Sequence, residues 1–388
     1  MASLLDHLRT LNAVDCDTLD AEGKAFWIVS HKHANFSPIP TVAAKLGPFV
    51  DCTSNQATDL PLVHQAIAFA ELSKGGSNGL PLYQQLIAES IQVAHWLFGK
   101  QTDATLEELA VELMMVGLSL RIAPHTTGYL HVQTNPKLAY STVKTVKNAE
   151  RIISHFKQLA PEFNTGRVCI KIPSTWEGLQ ACRELQKKGI ATLATILFSL
   201  EQTALAADAG CRYIAPYVNE LRVHFDPGYI DTNPALAFCG AAQQYLDSRM
   251  NNTTQVMAAS LTSVDQVMQL AGLHHITISP VLLAELVATP AAGWAGTASI
   301  GQVVKTAGAA AAAGGGPTGT AQLGAESQVA ALDALVKDES LWRMAFTRAD
   351  GGRSETKLVQ AINIFADVQD KLEEMVRQAD ATARAAAA

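Results

Sequence analysis

The sequence has no paired cysteines. Six cysteines occur, at positions 16, 52, 169, 182, 211 and 239, and no two form a CxxC pair. Several sit inside strand-like runs, so they read as buried free thiols in a reducing compartment, with neither a disulfide framework nor a zinc site. No run of about 18 apolar residues exists, so no membrane span is expected. Met1 to Arg9 alternates charged and apolar residues and lacks the apolar centre of a signal peptide. A cytoplasmic protein is the expectation. Eleven histidines form no HExxH pattern, so a metal mechanism has no sequence support. No P-loop or Gly-rich dinucleotide fingerprint stands where a strand meets a helix, and no cofactor is expected. The net charge of −7 gives no electrostatic reason to expect nucleic-acid binding.

What is present is an apolar, enzyme-like chain. Of its 388 residues, 48% are hydrophobic and 17% charged, enough for a large core in one α/β barrel or two ordinary domains. The most informative residue is Lys171, in Val168-Cys-Ile-Lys-Ile-Pro173, an apolar run that reads as a buried strand. A buried ammonium must be desolvated or paired, and desolvation lowers its pKa toward a usable amine. A neutral amine can attack a carbonyl and form an imine. A lysine that snorkels out of the strand end is the alternative.

The middle of the chain alternates strand and helix. Ser174 and Glu177 form a capping-box pattern, Leu179, Cys182 and Leu185 recur on one face, and Gly189 stops the helix. Ser199 and Gln202 repeat the capping pattern, and Gly210 ends the next helix. Strands are predicted at Ala13–Thr18, Pro48–Thr53, Tyr129–Gln133, Val168–Pro173, Ala191–Phe198, Cys211–Val218, Gln255–Ser260 and His275–Ser279. Short helical connections imply parallel strands with right-handed crossovers, and eight of them imply a closed (β/α)8 TIM barrel over residues 1–290. Asp17, Thr53, Asn55, Gln133, Lys171, Thr195, Tyr217 and Ser260 fall at or near strand C-termini, where barrel chemistry sits. Residues 291–325 read as an Ala/Gly-rich flexible loop. Residues 326–378 read as a helical region with an amphipathic stripe of Leu358, Ile362, Phe365, Val368, Leu372 and Met375. It packs on the barrel or, in a homodimer, on a partner subunit. Residues 379–388 look frayed.

Several stretches resemble the transaldolase family. Cys169-Ile-Lys-Ile-Pro-Ser-Thr-Trp-Glu-Gly178 is similar to its Schiff-base strand, and Ala191–Ser199 to the strand that follows. Met257-Ala-Ala-Ser260 and Thr277-Ile-Ser-Pro-Val-Leu-Leu-Ala-Glu285 resemble later strands. The resemblance runs from about residue 7 to 290 and returns in the C-terminal helix. It implies that Lys171 forms the imine and that Asp17 moves protons on the donor, with Asp15 and Asp20 as alternative counterparts. It implies that Thr53 and Asn55 hold donor hydroxyls, that Thr195 orients a water, and that Ser260 lines the donor or phosphate pocket.

The departures narrow the expectation. The family's water-activating glutamate corresponds to Gln133, which can position water but cannot act as a base. The usual Ser-Pro-Phe becomes Ala215-Pro-Tyr217. Gln133, Ala215 and Tyr217 together resemble the fructose-6-phosphate aldolase branch, which implies Tyr217 as general acid/base. The two family arginines that hold phosphate correspond to Glu220 and Thr262, with Arg222 as a possible substitute. A carboxylate in place of an arginine repels phosphate. The resemblance therefore implies a cofactor-free Schiff-base aldolase acting on ketose and aldehyde substrates, with reduced need for phosphate. The alternatives are a pentose-phosphate transaldolase and a catalytically silent binding protein on the same fold.

Overall fold

The computed structural model describes residues 2–18, 49–53, 83–100, 103–292, 294 and 325–387, and eight parallel strands within them close into a barrel. Helix α1 (Leu4–Arg9) leads into β1 (Ala13–Asp17), followed by β2 (Cys52–Thr53), α2 (Gln84–Phe98) and α3 (Leu106–Ile122). Then come β3 (Leu130–Gln133), α4 (Thr142–Leu159), β4 (Val168–Pro173), α5 (Trp176–Lys187), β5 (Ala191–Leu197) and α6 (Leu200–Asp208). The barrel finishes with β6 (Tyr213–Pro216), α7 (Leu236–Ser248), β7 (Gln255–Ala258), α8 (Val264–Gln269), β8 (His275–Ile278) and α9 (Pro280–Ala288). Three further helices follow, α10 (Ala325–Leu335), α11 (Glu339–Arg348) and α12 (Arg353–Ala387). Each strand pairs with its sequence neighbour, and β8 closes on β1. This is the TIM barrel the alternation predicts. Its strands are shorter than expected at several ends: Tyr217 lies one residue beyond β6 and Ser260 two beyond β7. Asn55, Asp20 and the Ala/Gly-rich stretch lie outside the described residues.

The β4–β5 crossover shows why the motif after Lys171 has its composition. The helix cap is Thr175, one residue later than predicted, and its hydroxyl accepts from the Gly178 N–H at 2.9 Å. Ser174 instead donates its hydroxyl to the Thr195 carbonyl at 2.7 Å, tying the end of β4 to β5. Glu177 does not reach back to close a box. It pairs with Arg343 of α11 at 2.5 Å. A Cβ at position 178 would stand 2.1 Å from the Pro173 carbonyl oxygen, so only glycine lets the helix start this close to the strand. At the next crossover Ser199 caps α6 as predicted, but the Gln202 side-chain oxygen Oε1 accepts from the Phe198 N–H rather than from that of the cap residue.

Below the level of Lys171 the barrel interior is polar. The Asp15 carboxylate accepts from His275 Nδ1 and from the Asp51 N–H, both at 2.9 Å. The Asp51 carboxylate accepts from His131 Nε2 at 2.9 Å and from the Tyr129 N–H at 2.7 Å. Fully buried carboxylates persist because each oxygen is met by a donor. Burial pushes the Asp15 carboxyl above its ordinary value, against the pull of His275. His275 is also raised, because the Asp15 hydrogen bond and charge outweigh its desolvation. A raised histidine contributes stability that is complete below its ordinary value of 6.5 and lost as pH rises through its folded value. The Tm advantage of wild type over His275→Gln is therefore expected to be largest near about pH 6 and to shrink toward about pH 9. A thermal melt series across that range checks this, and a pH-independent difference would contradict it.

Helix α12 lies against the barrel rim at the strand C-termini. Leu358, Ala361, Ile362, Phe365, Val368, Leu372 and Val376 are buried along it, each large side chain contributing about 1.5–3 kcal/mol by removal from water. Polar contacts fix its register. Ser354 donates to the Phe198 carbonyl at 3.0 Å, Lys357 pairs with Asp231 at 3.1 Å, and Lys137 pairs with Glu373 at 2.6 Å. The stripe is covered by this chain, so it offers no basis for a dimer. The predicted frayed end is helical to Ala387, since alanine is the strongest helix former and Asp380 pairs with His95 at 2.9 Å. Among the described residues, no helix is long and apolar enough to cross a membrane.

Candidate active site

Lys171 stands in the middle of β4 with 2% of its surface exposed. Among the described residues its ammonium makes no hydrogen bond. Burial lowers its pKa, and the Asp17 carboxylate works against that shift. The two share a cavity with Tyr217, His224, Ser260 and Thr277. The remainder of the lining is Leu221, Ala259, Leu261 and Ser279. Every one of these polar groups belongs to a strand or to the loop that follows one, at the end of the barrel where a TIM fold does its chemistry.

Asp17, at the end of β1, accepts a hydrogen bond from the Thr53 hydroxyl at 2.7 Å. Thr53 in turn lies 2.9 Å from the Thr277 hydroxyl. These contacts separate the candidate carboxylates. Asp15 is committed to His275 below the cavity, whereas Asp17 faces Lys171. Tyr217 is 3% exposed, bridged through its backbone to Ala259 and packed edge-on against Phe198 at 6.2 Å between ring centroids.

Gln133 and Thr195 do not line that cavity, but both face the same barrel interior. Gln133 is the register partner of Lys171, and Thr195 the partner of Pro173, two residues further along β4. Register partners on parallel strands project to the same side, as do residues two apart. Among the described residues, both Gln133 amide atoms and the Thr195 hydroxyl are buried without a hydrogen-bond partner. Unsatisfied buried groups of this kind call for a water or a substrate atom. Beside Thr195, Ile196 adopts φ +62° where the β5–β6 register shifts. A β-branched residue in the left-handed region is costly, and such strain collects at functional sites.

Arg222 is not brought to the cavity. It is nearly half exposed, its guanidinium pairs with Asp226, and it stacks over Tyr229 at 4.3 Å. That guanidinium is engaged by Asp226 and Tyr229, and Arg222 is not among the residues that line the cavity. Glu220 is likewise held by the Tyr229 hydroxyl and by Gln360 of α12 at 3.0 Å. Thr262 bonds only within its own turn, to Gln266.

Sequence reasoning missed Thr277 and His224. Thr277 had a signal, since His275, Thr277 and Ser279 alternate with apolar residues and so share one face of β8. His224 had none. A short 3-10 turn, Leu221–His224, brings it back over the cavity, where its Nε2 lies 2.7 Å from the Ser260 hydroxyl.

The family model described as Transaldolase/Fructose-6-phosphate aldolase matches residues 33–316. A transaldolase of Xanthomonas euvesicatoria is 30% identical over 242 residues, covering 61% of this chain and 69% of the relative. One from Chlamydia felis is 28% identical over 292 residues, covering 74% and 77%. One from Thermosynechococcus vestitus is 31% identical over 218 residues, covering 53% of each. The matched residues include Lys171, Tyr217 and Ser260, while Asp17 precedes them, so its assignment rests on its contacts with Thr53 and on the shared cavity. The chain belongs to the transaldolase/fructose-6-phosphate aldolase family, and is an enzyme that acts on carbon–carbon bonds.

Proposed function

We propose that the protein is a Schiff-base aldolase in which Lys171 carries a ketose or dihydroxyacetone unit and phosphate contributes little to recognition. The observation that carries this reading is a buried lysine, its pKa lowered by burial, held in one cavity with Asp17 and Tyr217. The neutral amine adds to the ketone carbonyl, and loss of water gives the protonated imine. Tyr217 relays the proton of the C4 hydroxyl, taking it up as its own hydroxyl proton passes to the Asp17 carboxylate in the same cavity. The C3–C4 bond breaks, its electron pair passes into the imine as an enamine, and an aldehyde departs. Asp17 with Thr53 orients the donor hydroxyls and shuttles protons. Gln133 and Thr195 hold the water that hydrolyses the final imine. Reprotonation of the enamine releases the donor, while attack on a second aldehyde transfers it.

Reduced need for phosphate follows from the turn after β6. A carboxylate replaces the family arginine at 220, and Arg222 is engaged elsewhere. Glu220→Arg is expected to raise kcat/KM for fructose 6-phosphate relative to fructose by about tenfold or more, the worth of one charged hydrogen bond. Wild-type kcat/KM for the two sugars tests the reading itself. Comparable values, or a preference for fructose, support it. A strong preference for the phosphorylated sugar would overturn it and favour the transfer reaction named for the relatives.

A further inference from the structure

We propose that His224, acting with Ser260, is a specificity-determining residue that receives the terminal hydroxyl of the ketose chain. The inference rests on the Schiff-base reading above and concerns the far end of the same substrate. His224 closes the 3-10 turn after β6, and Ser260 stands just beyond β7, so the pair forms the β6–β7 wall of the Lys171 cavity.

The placement of both groups is over-determined. Ser260 has φ +62°, a conformation held because its carbonyl accepts from the Asn219 backbone N–H at 3.2 Å and from its side chain at 2.7 Å. The turn is tied from outside. The Arg222 N–H donates to Gln360 at 3.3 Å, and the Glu220 N–H donates to Asp231 at 2.9 Å, itself paired with Lys357. These contacts turn the Glu220 and Arg222 side chains outward. His224 is left, among the described residues, as the one titratable side chain of the turn that lines the cavity.

The chemistry of the pair selects its ligand. An imidazole and a hydroxyl 2.7 Å apart offer one donor and one acceptor. A ligand hydroxyl donates and accepts once each, so it can insert between them and replace the bond it breaks. A phosphate offers only acceptors and needs several donors, whereas this pair supplies at most two and, among the described residues, the cavity lining holds no arginine. The site is thereby matched to a chain ending in a hydroxyl.

The test compares fructose, 6-deoxyfructose and dihydroxyacetone with the full-length wild type, His224→Ala and His224→Asn. In wild type, removing the terminal hydroxyl is expected to lower kcat/KM at least about tenfold, mainly through KM. His224→Ala is expected to collapse that discrimination between fructose and 6-deoxyfructose. Imine formation with dihydroxyacetone, read by borohydride trapping because this three-carbon donor has no C3–C4 bond to cleave and is too short to reach the wall, is expected to lose several-fold less than turnover of fructose. His224→Asn, which keeps a donor and an acceptor, should recover part of the preference. Equal losses on all three substrates would make His224 a structural support and overturn the proposal. Wild-type indifference to the 6-hydroxyl would overturn it even if the alanine variant failed to fold. Absence of any Lys171 imine in wild type would instead remove the Schiff-base reading, so the two failures are distinguishable.

Discussion

Lys171→Met is expected to abolish turnover and imine trapping while making the protein more stable. Activity should fall at least about 10⁴-fold, the scale seen when an enzyme loses its nucleophile. The stability gain, about 1–2 kcal/mol, follows from replacing a desolvated ammonium by an isosteric apolar chain in the barrel interior. Its pH dependence has a definite sign. Burial lowers the lysine's folded pKa below the ordinary 10.5, so the unfolded chain binds the proton more tightly and wild-type stability rises with pH between the two values. The advantage of Lys171→Met should therefore be greatest below the folded value and fade as pH approaches 10.5. Thermal melts of both proteins over that range check this. A destabilised variant would mean that the lysine serves packing or pairing rather than chemistry.

Tyr217→Phe carries the second large effect. Its ring packs edge-on against Phe198 and its backbone bridges to Ala259, contacts that a phenylalanine keeps. Turnover is expected to fall about 10²–10⁴-fold, the usual range for removing a general acid/base. Imine formation with dihydroxyacetone should survive, because carbonyl attack belongs to Lys171. Steady-state kinetics beside borohydride trapping separates the two steps. A kcat within about tenfold of wild type would place the proton transfer on another group, with Asp17 next in line.

The fold was legible because its signals repeat. Apolar runs, caps and stopping glycines recur at barrel spacing, and Gly189 and Gly210 take the positive φ that ends their helices. Lys171 was legible because a charge inside an apolar strand contradicts its surroundings. What escaped was set by geometry without a sequence period. The bulge at Ile196 hides inside an ordinary strand-like run, although it reorients the chain beside Thr195. A shift of one residue moved the helix cap from Ser174 to Thr175, and only tertiary partners decide between two adjacent hydroxyls. The turn after β6 was the hardest to read. Asp226 and Tyr229 draw Arg222 outward while Gln360, far along the chain, holds the turn in place. His224 reaches the cavity as a result.

Helix α12 thus has a role beyond covering apolar surface. Gln360 touches both Glu220 and the Arg222 backbone, and Ser354 caps the end of the β5 loop at Phe198. The C-terminal helix and the substrate-facing turn are parts of one hydrogen-bonded unit.

The most direct test is to incubate the protein with dihydroxyacetone, reduce with borohydride, and map the adduct by peptide mass spectrometry. A single reduced three-carbon adduct on Lys171, absent from Lys171→Met, is the predicted result. No adduct, or one confined to exposed lysines such as Lys187 or Lys188, would contradict the account.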